Sequence, residues 1–363
     1  MTEPALVIVS DLHLGGGSSA EAWGAGFSDE FADDQAFSDF LRWLSRRPGC
    51  RLVFLGDAFD FLRVPVTGTR TGLLARSDTE AVAQLDRIAA AHPAVVKVLS
   101  AALATGVHID FVAGNHDAEL VRPAVQERLC ALLGAKVRFH PWVLYISGLL
   151  YAEHGHHHHD INTFVRPLCP YAQKDGRLER PPAAWLGDLR RFSASPGRLW
   201  RDAMTGLRGR PPASGRAEYF ARLVPAHADE IGLPQSVVAE LHHLASFSLL
   251  GAGRRLVSTR LRRGDRRPGY LPAAAAAVHD LMARNQLAVP FYAFGHTHAA
   301  MRLPLGTDAF YLNSGTWSTA SWGAAQTRRT WIEITGDVPP AASARLFHWT
   351  GTAEPLTDRM VAT

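Results

Sequence analysis

The sequence predicts an α/β fold, and two observations support this prediction. Apolar runs of six residues alternate with helical patterns in the first half of the chain, which is typical of strands separated by helices. Clusters of Asp, Asn and His follow directly after these runs. Because ligands bind beyond the carboxyl ends of strands in open α/β sheets, the clusters also indicate where a functional site lies.

Three strands and three helical patterns are predicted in the first half of the chain. The strands are Ala5–Ser10, Arg51–Gly56 and His108–Ala113. The helical patterns are Asp29–Arg46, Asp78–Thr105 with a break near Pro93, and Glu119–Leu133. Further strand patterns are Phe139–Tyr151 with a turn at Ser147 and Gly148, Phe291–Phe294, Ala309–Leu312, Thr330–Ile334 and Arg345–His348.

The amino-acid composition changes from Ile161 to Pro290, where Pro and Arg are frequent and strand patterns are few. This segment holds 20 basic and 10 acidic residues, a charge of +10, which leaves −6 for the rest of a chain whose total is +4. Helical runs such as Val237–Leu250 predict a mostly helical module. We therefore expect a core formed by residues 1–159 and 290–363, and a basic insertion at 160–289 that caps the site.

Composition excludes several classes of protein. Of the 363 residues, 47% are hydrophobic and 20% are charged, which fits a globular protein and neither a disordered nor a collagen-like one. No apolar stretch reaches about 18 residues, and the first residues lack a basic n-region, so we expect neither a spanning helix nor a signal peptide. Cys50, Cys130 and Cys169 show no CxxC spacing, which argues against a disulfide framework or a zinc cluster and favours a cytoplasmic location.

The first two polar clusters offer carboxylates and an imidazole. Asp11 and His13 are two residues apart, so in an extended chain both point the same way and can bind one ion. Asp57 follows the second strand, where one carboxylate can bridge two ions, and Gly56 lets backbone approach closely. Asp60 is expected to support a ligand from behind or to cap a helix. Taken singly, each of these residues also fits an ordinary turn or cap.

The third cluster, which follows the third strand, has the sequence GNHD. The amide oxygen of Asn115 is a hard metal ligand, and His116 is a candidate proton donor. Asp117 or Asp60 would orient the His116 ring. Because Asn, Asp and Gly are also common turn residues, this cluster alone does not establish a site.

The last two clusters supply histidines. His154 ends a strand and is expected to be a ligand, whereas the run from His156 to His159 fits a solvated loop or a supporting role. Within that run, His156 is the residue we expect to support the site. His296 and His298 are again two residues apart, which in an extended chain places both imidazoles on one side.

Together these clusters offer seven candidate ligands: Asp11, His13, Asp57, Asn115, His154, His296 and His298. Seven ligands are too many for one tetrahedral ion but suit two ions that share Asp57. Mixed Asp, Asn and His ligation favours Mn²⁺, with Fe or Zn²⁺ as alternatives. Two metal ions about 3.5–4 Å apart are a standard device for in-line displacement at phosphorus.

These motifs resemble those of the calcineurin-like metallophosphoesterase superfamily. The family pattern DxH, GDxxD, GNHD, a lone His before Gly, and GHxH stands here in the same order, within roughly residues 5–155 and 291–335. The GHTH ending and the NSGTW turn are similar to the branch that resembles UDP-2,3-diacylglucosamine pyrophosphatases. The large insertion between His154 and His296 departs from this pattern.

The resemblance implies a four-layer αββα sandwich with the site at the carboxyl edge of the sheets. It implies that Asp11, His13 and His298 hold one ion, that Asn115, His154 and His296 hold the other, and that Asp57 bridges them. It also implies that His116 faces the phosphate and assists the leaving group. The expected enzyme is a hydrolase of phosphate esters in which a bridging water becomes a hydroxide nucleophile.

Three alternatives remain open at this point. A nuclease of the same superfamily would use the Arg-rich loops, but Trp185, Trp200 and Tyr219 are too scattered to form a stacking platform, so nucleic acid is disfavoured. A pyrophosphatase acting on a lipid-linked sugar nucleotide would use Leu241–Arg263 for peripheral membrane contact. A non-catalytic scaffold usually lacks ligands or the proton-donating His, and none is missing here. We infer no obligate protein partner and expect a phosphorylated small-molecule or lipid-linked substrate.

Overall fold

The computed structural model describes residues 5–17, 29–47, 49–64, 77–159, 162–164, 178, 181, 270–319, 327–336 and 341–356. Within these ranges the chain is a mixed α/β protein with two sheets and five α-helices. The helices are α1 Asp34–Leu44, α2 Asp78–Ala91, α3 Pro93–Ala104, α4 Pro123–Leu133 and α5 Tyr270–Arg284. The strands are β1 Leu6–Val9, β2 Arg51–Leu55, β3 His108–Val112, β4 Arg138–His140, β5 Val143–Ile146, β6 Leu150–Glu153, β7 Phe291–Phe294, β8 Met301–Leu305, β9 Ala309–Asn313, β10 Thr330–Thr335, β11 Ser343–Trp349 and β12 Ala353–Pro355.

The strands form a seven-stranded sheet and a five-stranded sheet. The first has the order β12-β11-β10-β1-β2-β3-β4, and the second has the order β5-β6-β7-β9-β8. Strands β1 to β4 pair in parallel, as do β6, β7 and β9. Because the parallel strands of each sheet share one direction, their carboxyl ends lie at one edge, and the polar clusters follow these ends.

One hydrophobic cluster joins the facing sides of the two sheets. Ile8 and Val53 of the larger sheet belong to the same buried cluster as Leu150 and Ala293 of the smaller one. On the other side of the larger sheet, Phe40 of α1 packs against aromatic side chains that include Trp331. Helix α5 contacts β7, β8 and β9 of the smaller sheet.

The structure confirms most predicted elements and corrects several boundaries. The strands at residues 5–10, 51–56 and 108–113 are confirmed as β1, β2 and β3, and the long helix breaks before Pro93, which is the first residue of α3. The first helix begins at Asp34 rather than Asp29, because residues 29–33 form a loop in which the Asp29 carboxylate accepts three backbone N–H groups. The strand pattern at 139–151 is three strands that belong to two different sheets.

Most of the predicted insertion lies outside the described residues, as does the helical run at Val237–Leu250, so the basic cap remains a sequence prediction. The contacts divide the chain into two units, of which the larger contains Gly269–Thr363. Helix α5 falls inside the range predicted for the insertion, yet it packs on the smaller sheet. Its Leu271 and Ala275 are fully buried in a cluster with strand residues of that sheet.

No single helix in the described part of the chain is long and apolar enough to cross a membrane. Helices α2 and α3 together have the length and apolar composition of a membrane-spanning segment, but they are bent by 94° at their junction.

Candidate metal centre

The loops that follow β1 and β2 run side by side and form the floor of the site. The backbone N–H of Asp11 donates to Gly56 O (3.1 Å), and that of His13 donates to Asp57 O (2.9 Å). The N–H of Asp60 in turn donates to the carbonyl of the first loop at Leu14 (2.8 Å). These bonds fix the spacing between the first two motifs.

Five of the candidate ligands have a left-handed backbone conformation, which residues other than Gly rarely adopt. The φ angles are 53° at Asp11, 56° at His13, 53° at Asp57, 66° at His296 and 60° at His298. Each costs of the order of 1–2 kcal/mol, which the surrounding structure has to offset. The expectation of an extended chain at the two pairs spaced i, i+2 is therefore wrong, because these pairs lie in loops with a left-handed backbone beyond the strand ends.

The first group of donor atoms consists of Asp11, His13 and His298, whose ligand atoms lie within 4.8 Å of one another. Oδ1 of Asp11 is 3.2 Å from His298 Nε2 and 3.9 Å from His13 Nε2. The two Nε2 atoms are 3.3 Å apart. All three residues are buried.

The second group consists of Asp57, His154 and His296, again within 4.8 Å. Nε2 of His154 lies 3.0 Å from Asp57 Oδ2, and the rings of His154 and His296 lie 5.1 Å apart. Hence His296 and His298 join different groups, in the same division that the family resemblance implies.

Asp57 connects the two groups. Its Oδ2 is 3.0 Å from His154 Nε2 and 3.8 Å from His13 Nε2, so one carboxylate oxygen faces a histidine of each group. A third donor set of His13, Asp57 and His116 also includes it. The structure therefore brings together six of the seven candidate ligands around a shared carboxylate.

The seventh candidate, Asn115, is placed by its neighbours. The N–H of His116 donates to Asp57 Oδ1 (2.8 Å), and a Cβ added at Gly114 would lie 2.2 Å from that same oxygen. The Oδ1 atom of Asn115 is buried and accepts no hydrogen bond from the described part of the chain. Because a buried carbonyl oxygen without a partner costs about 1–3 kcal/mol, this atom fits a metal ligand.

Gly56 permits a close approach between the second and fourth motifs. It has φ +83°, and a Cβ at this position would lie 2.4 Å from the His154 ring. The Nδ1–H of His154 donates to Leu55 O (2.9 Å), which turns Nε2 toward Asp57. A glycine at 56 is therefore required both for the turn and for the position of the histidine.

Asp60, rather than Asp117, orients the candidate proton donor. Nδ1 of His116 lies 2.9 Å from Asp60 Oδ1. Asp117 instead accepts backbone N–H groups from Ala58 (2.8 Å) and Gly114 (2.6 Å), so it holds the second and third motif loops together. Asp60 precedes a short 3₁₀ turn but makes no capping hydrogen bond with its side chain.

The charges of the site shift several pKa values. Burial by itself raises the pKa of Asp11, but the imidazoles of His298 and His154 outweigh it and lower the pKa to about 2. Burial lowers the pKa of His154, whereas Asp57 and Asp11 raise it to about 10. For Asp117, burial followed by the charge of Asp57 raises the pKa to about 7. Opposed pKa shifts among neighbouring buried groups are typical of functional sites.

Burial also disfavours the charged form of His116, but Asp60 and Asp57 outweigh that effect and raise the pKa of its imidazole. The His116 ring meets the His13 ring edge to face at 4.6 Å. The side chain of His116 is 25% exposed, whereas that of Asp60 is fully buried. The imidazole therefore reaches the surface of the site while its orienting carboxylate lies beneath it.

Ser10, which was not predicted as a site residue, and the NSGT turn, which the motif pattern includes, support the site. Ser10 Oγ bonds to Asp11 Oδ2 and to Ser314 Oγ, and Thr316 Oγ1 donates to Asp11 O (2.8 Å). Asn313 Nδ2 donates to Gly295 O (2.7 Å). The NSGT turn thus joins the first and fifth motifs, and its presence after GHTH was the only sequence signal for this role.

His156, by contrast, belongs to none of the donor groups among the described residues. It is buried, and its ring lies 4.0 Å from the ring of His157 and 5.6 Å from that of Phe164. A supporting role for His156 at the metal centre remains a prediction.

No model of a protein family matches the chain, and no curated protein matches it. The chain is similar to the crystal structure of a phosphopantetheinyl hydrolase from Mycobacterium tuberculosis, with 13% identity over 87% of this chain and 90% of that one, and a TM-score of 0.29. It is also similar to a dimetal phosphatase from Danio rerio, with 10% identity over 98% of each chain and a TM-score of 0.39. At these scores neither structure bears on the fold or function of this chain.

Proposed function

We propose that this protein is a metal-dependent hydrolase of phosphate esters with a dinuclear metal centre. The observation that carries the proposal is the position of Asp57, whose Oδ2 faces His154 of one donor group and His13 of the other. A carboxylate shared by two sets of imidazoles is what two divalent ions require as a bridge.

The residues fit such ions. Two groups of three donors lie beyond the ends of strands, and Asn115 adds a buried oxygen that has no hydrogen-bond partner among the described residues. Asp11, His13 and His298 would hold one ion, Asn115, His154 and His296 the other, and Asp57 both. The mixed set of Asp, Asn and His donors suits Mn²⁺, with Fe or Zn²⁺ as alternatives.

Bound divalent ions supply Lewis acidity, which lowers the pKa of water and offsets negative charge on phosphoryl oxygens. His116 donates its Nδ1–H to Asp60, whose negative charge favours the imidazolium form, and that form carries a second proton on Nε2 for the leaving oxygen. Asn115 orients the phosphate through its amide. Asp117 keeps the loops of Asp57 and Asn115 in register by accepting N–H groups from both.

We also propose membership of the calcineurin-like metallophosphoesterase superfamily and a four-layer αββα arrangement. The order of the five motifs supports the first, and the hydrophobic cluster shared by both sheets supports the second. Similarity to the UDP-2,3-diacylglucosamine pyrophosphatase branch rests on the GHTH and NSGTW sequences. The +10 charge from Ile161 to Pro290 favours an anionic substrate. Free thiols at Cys50 and Cys130 suit a cytoplasmic location.

The experiment is a screen of purified protein with Mn²⁺ against aryl phosphate mono- and diesters, nucleotides and sugar-nucleotide lipids. We expect hydrolysis of at least one class that disappears with a chelator and returns with metal. Tight nucleic-acid binding with strong salt dependence and DNA cleavage would favour the nuclease instead. No hydrolysis of any class by the metal-loaded protein would contradict the proposal.

A further inference from the structure

Arg63 lies beside a fourth set of donor atoms, of which the proposed mechanism uses those of His13 and Asp60 but not those of Glu30. His13, Glu30 and Asp60 form this set, with ligand atoms within 4.8 Å, and all three are buried. Nη2 of Arg63 donates to Glu30 Oε1, and its Nε lies 3.2 Å from Asp60 Oδ2. The guanidinium therefore supplies the positive charge that the two buried carboxylates require.

Asp60 turns its two oxygens to two different histidines. Oδ1 lies 2.9 Å from His116 Nδ1, and Oδ2 lies 3.7 Å from His13 Nδ1. One of these rings belongs to a donor group and the other is the candidate proton donor. A rotation of the Asp60 carboxylate would disturb both, so whatever fixes Asp60 fixes their relative position.

Glu30 gives Arg63 a fixed anchor on the opposite side. The backbone carbonyl of Glu30 accepts hydrogen bonds from Ser318 Oγ (3.0 Å) and from the Thr319 N–H (2.7 Å), just after the NSGT turn. The Glu30 side chain is 8% exposed and that of Arg63 is 20% exposed. A planar guanidinium can contact two carboxylates at once, which a lysine ammonium does less well.

We propose that Arg63 is a positioning residue. It fills the fourth donor set in place of a metal ion, ties Glu30 to Asp60, and so holds Asp60 against His116. The loss of activity expected in Arg63 variants rests on the proposed phosphoesterase function. The loosening of the contact between Asp60 and His116 that we expect in the same variants does not.

The kinetic test compares Arg63→Gln with the wild-type protein on two phosphate esters, one with an activated aryl leaving group and one with an alkyl leaving group. Loss of an oriented proton donor matters for the alkyl ester, so kcat should fall on the order of 10²-fold there and less than about threefold on the aryl ester. KM and metal content should stay unchanged. Arg128→Gln, which breaks the exposed pair with Asp86, is the matched control and should leave both rates unchanged.

Equal losses on both esters would mean a merely structural role and would overturn the proposal. So would a third metal ion in the wild-type protein that Glu30→Gln removes. If Arg63→Gln does not fold, Glu30→Gln takes its place, because it leaves the guanidinium present but removes its charged anchor. The same selective loss on the alkyl ester is expected.

A second readout does not depend on activity. In ¹⁵N-histidine-labelled protein, the Nδ1 proton of His116 should exchange slowly with solvent, and Arg63→Gln should accelerate that exchange by roughly tenfold or more. The His116→Gln variant identifies the signal. If the wild-type protein neither binds metal nor hydrolyses phosphate esters, the proposed function fails, yet this exchange measurement still decides the role of Arg63. Unchanged exchange in Arg63→Gln would overturn it.

Discussion

Nε2 of His154 lies 3.0 Å from Oδ2 of Asp57, although the two residues follow strands of different sheets. The contact is built from both sides: Leu55 O engages Nδ1 of the histidine, and His116 N–H engages Oδ1 of the carboxylate. Each side chain thus presents one atom to the other while its second polar atom is fixed by backbone. This arrangement gives the first prediction.

Asp57→Asn should reduce metal content more than any other single substitution at the site. Asp57 faces both donor groups, so the amide removes the charge that both ions share. We expect bound metal to fall from two ions toward none or one, and hydrolysis to fall with it. Elemental analysis after gel filtration measures the content, and Asp39→Asn on the exposed face of α1 is the control. Two ions retained by Asp57→Asn would contradict the shared role.

His116→Gln should separate chemistry from metal binding. The His116 ring is held by Asp60 and lies outside the two principal donor groups, so both ions should remain. Removal of a general acid costs about 10²–10⁴ in rate on a poor leaving group. The measurement is kcat on an alkyl phosphate, because an activated aryl ester needs little protonation. Wild-type turnover of the alkyl ester would refute the role of His116.

Gly56→Ala should displace His154. The added Cβ would lie 2.4 Å from the imidazole ring, whereas a Cβ at Gly148 would meet nothing within 4 Å. Because both glycines have a positive φ, of +83° and +72°, Gly148→Ala controls for backbone strain alone. We expect metal affinity to fall about 10–100-fold in Gly56→Ala and to stay unchanged in Gly148→Ala. Equal affinities in both variants would show that the contact with His154 is unimportant.

The pH dependence of folding should carry a contribution from Asp110, away from the metal centre. Burial raises the pKa of Asp110, but hydrogen bonds from Arg51 (2.7 Å) and His140 (2.8 Å) outweigh it and lower the pKa below its usual value. The stabilisation is therefore fully present above the unfolded value of about 3.9 and is lost as the pH falls through the folded pKa.

Asp110→Asn should cost on the order of 1.5–3 kcal/mol of unfolding free energy at pH 7, and this difference should shrink below about pH 4. Urea unfolding of both proteins at pH 7, 5 and 3 measures it. A difference that grows as the pH falls would contradict the sign. Asp86→Asn, in an exposed pair with Arg128, should change little at any pH.

The parallel strands could be predicted from sequence because strands buried on both faces are continuous apolar runs. Strand β8 could not, since Pro304 argues against a strand, and the structure places it on an edge strand, where proline is tolerated. Strand β12 has three residues, too few for a periodic pattern. The predicted start of α1 was too early because the loop at residues 29–33 contains Asp, Phe and Ala, as the helix itself does.

The candidate site was predictable in its residues but not in its geometry. The motifs identify Asp11 and His13, yet nothing in their sequence indicates a left-handed backbone, which non-glycine residues seldom adopt. The bond between Ser10 and Ser314 joins residues 304 positions apart, and Glu30 meets Arg63 only through the folded loops. Such long-range partners carry no local signal.

The most direct test of the central claim is the structure of the protein loaded with Mn²⁺, with the ions located by anomalous scattering. The account predicts two ions about 3.5–4 Å apart, with Asp57 between them, His13 and His298 on one ion, and His154 and His296 on the other. A single ion bound without Asp57, with His154 and His296 turned away from it, would contradict the account.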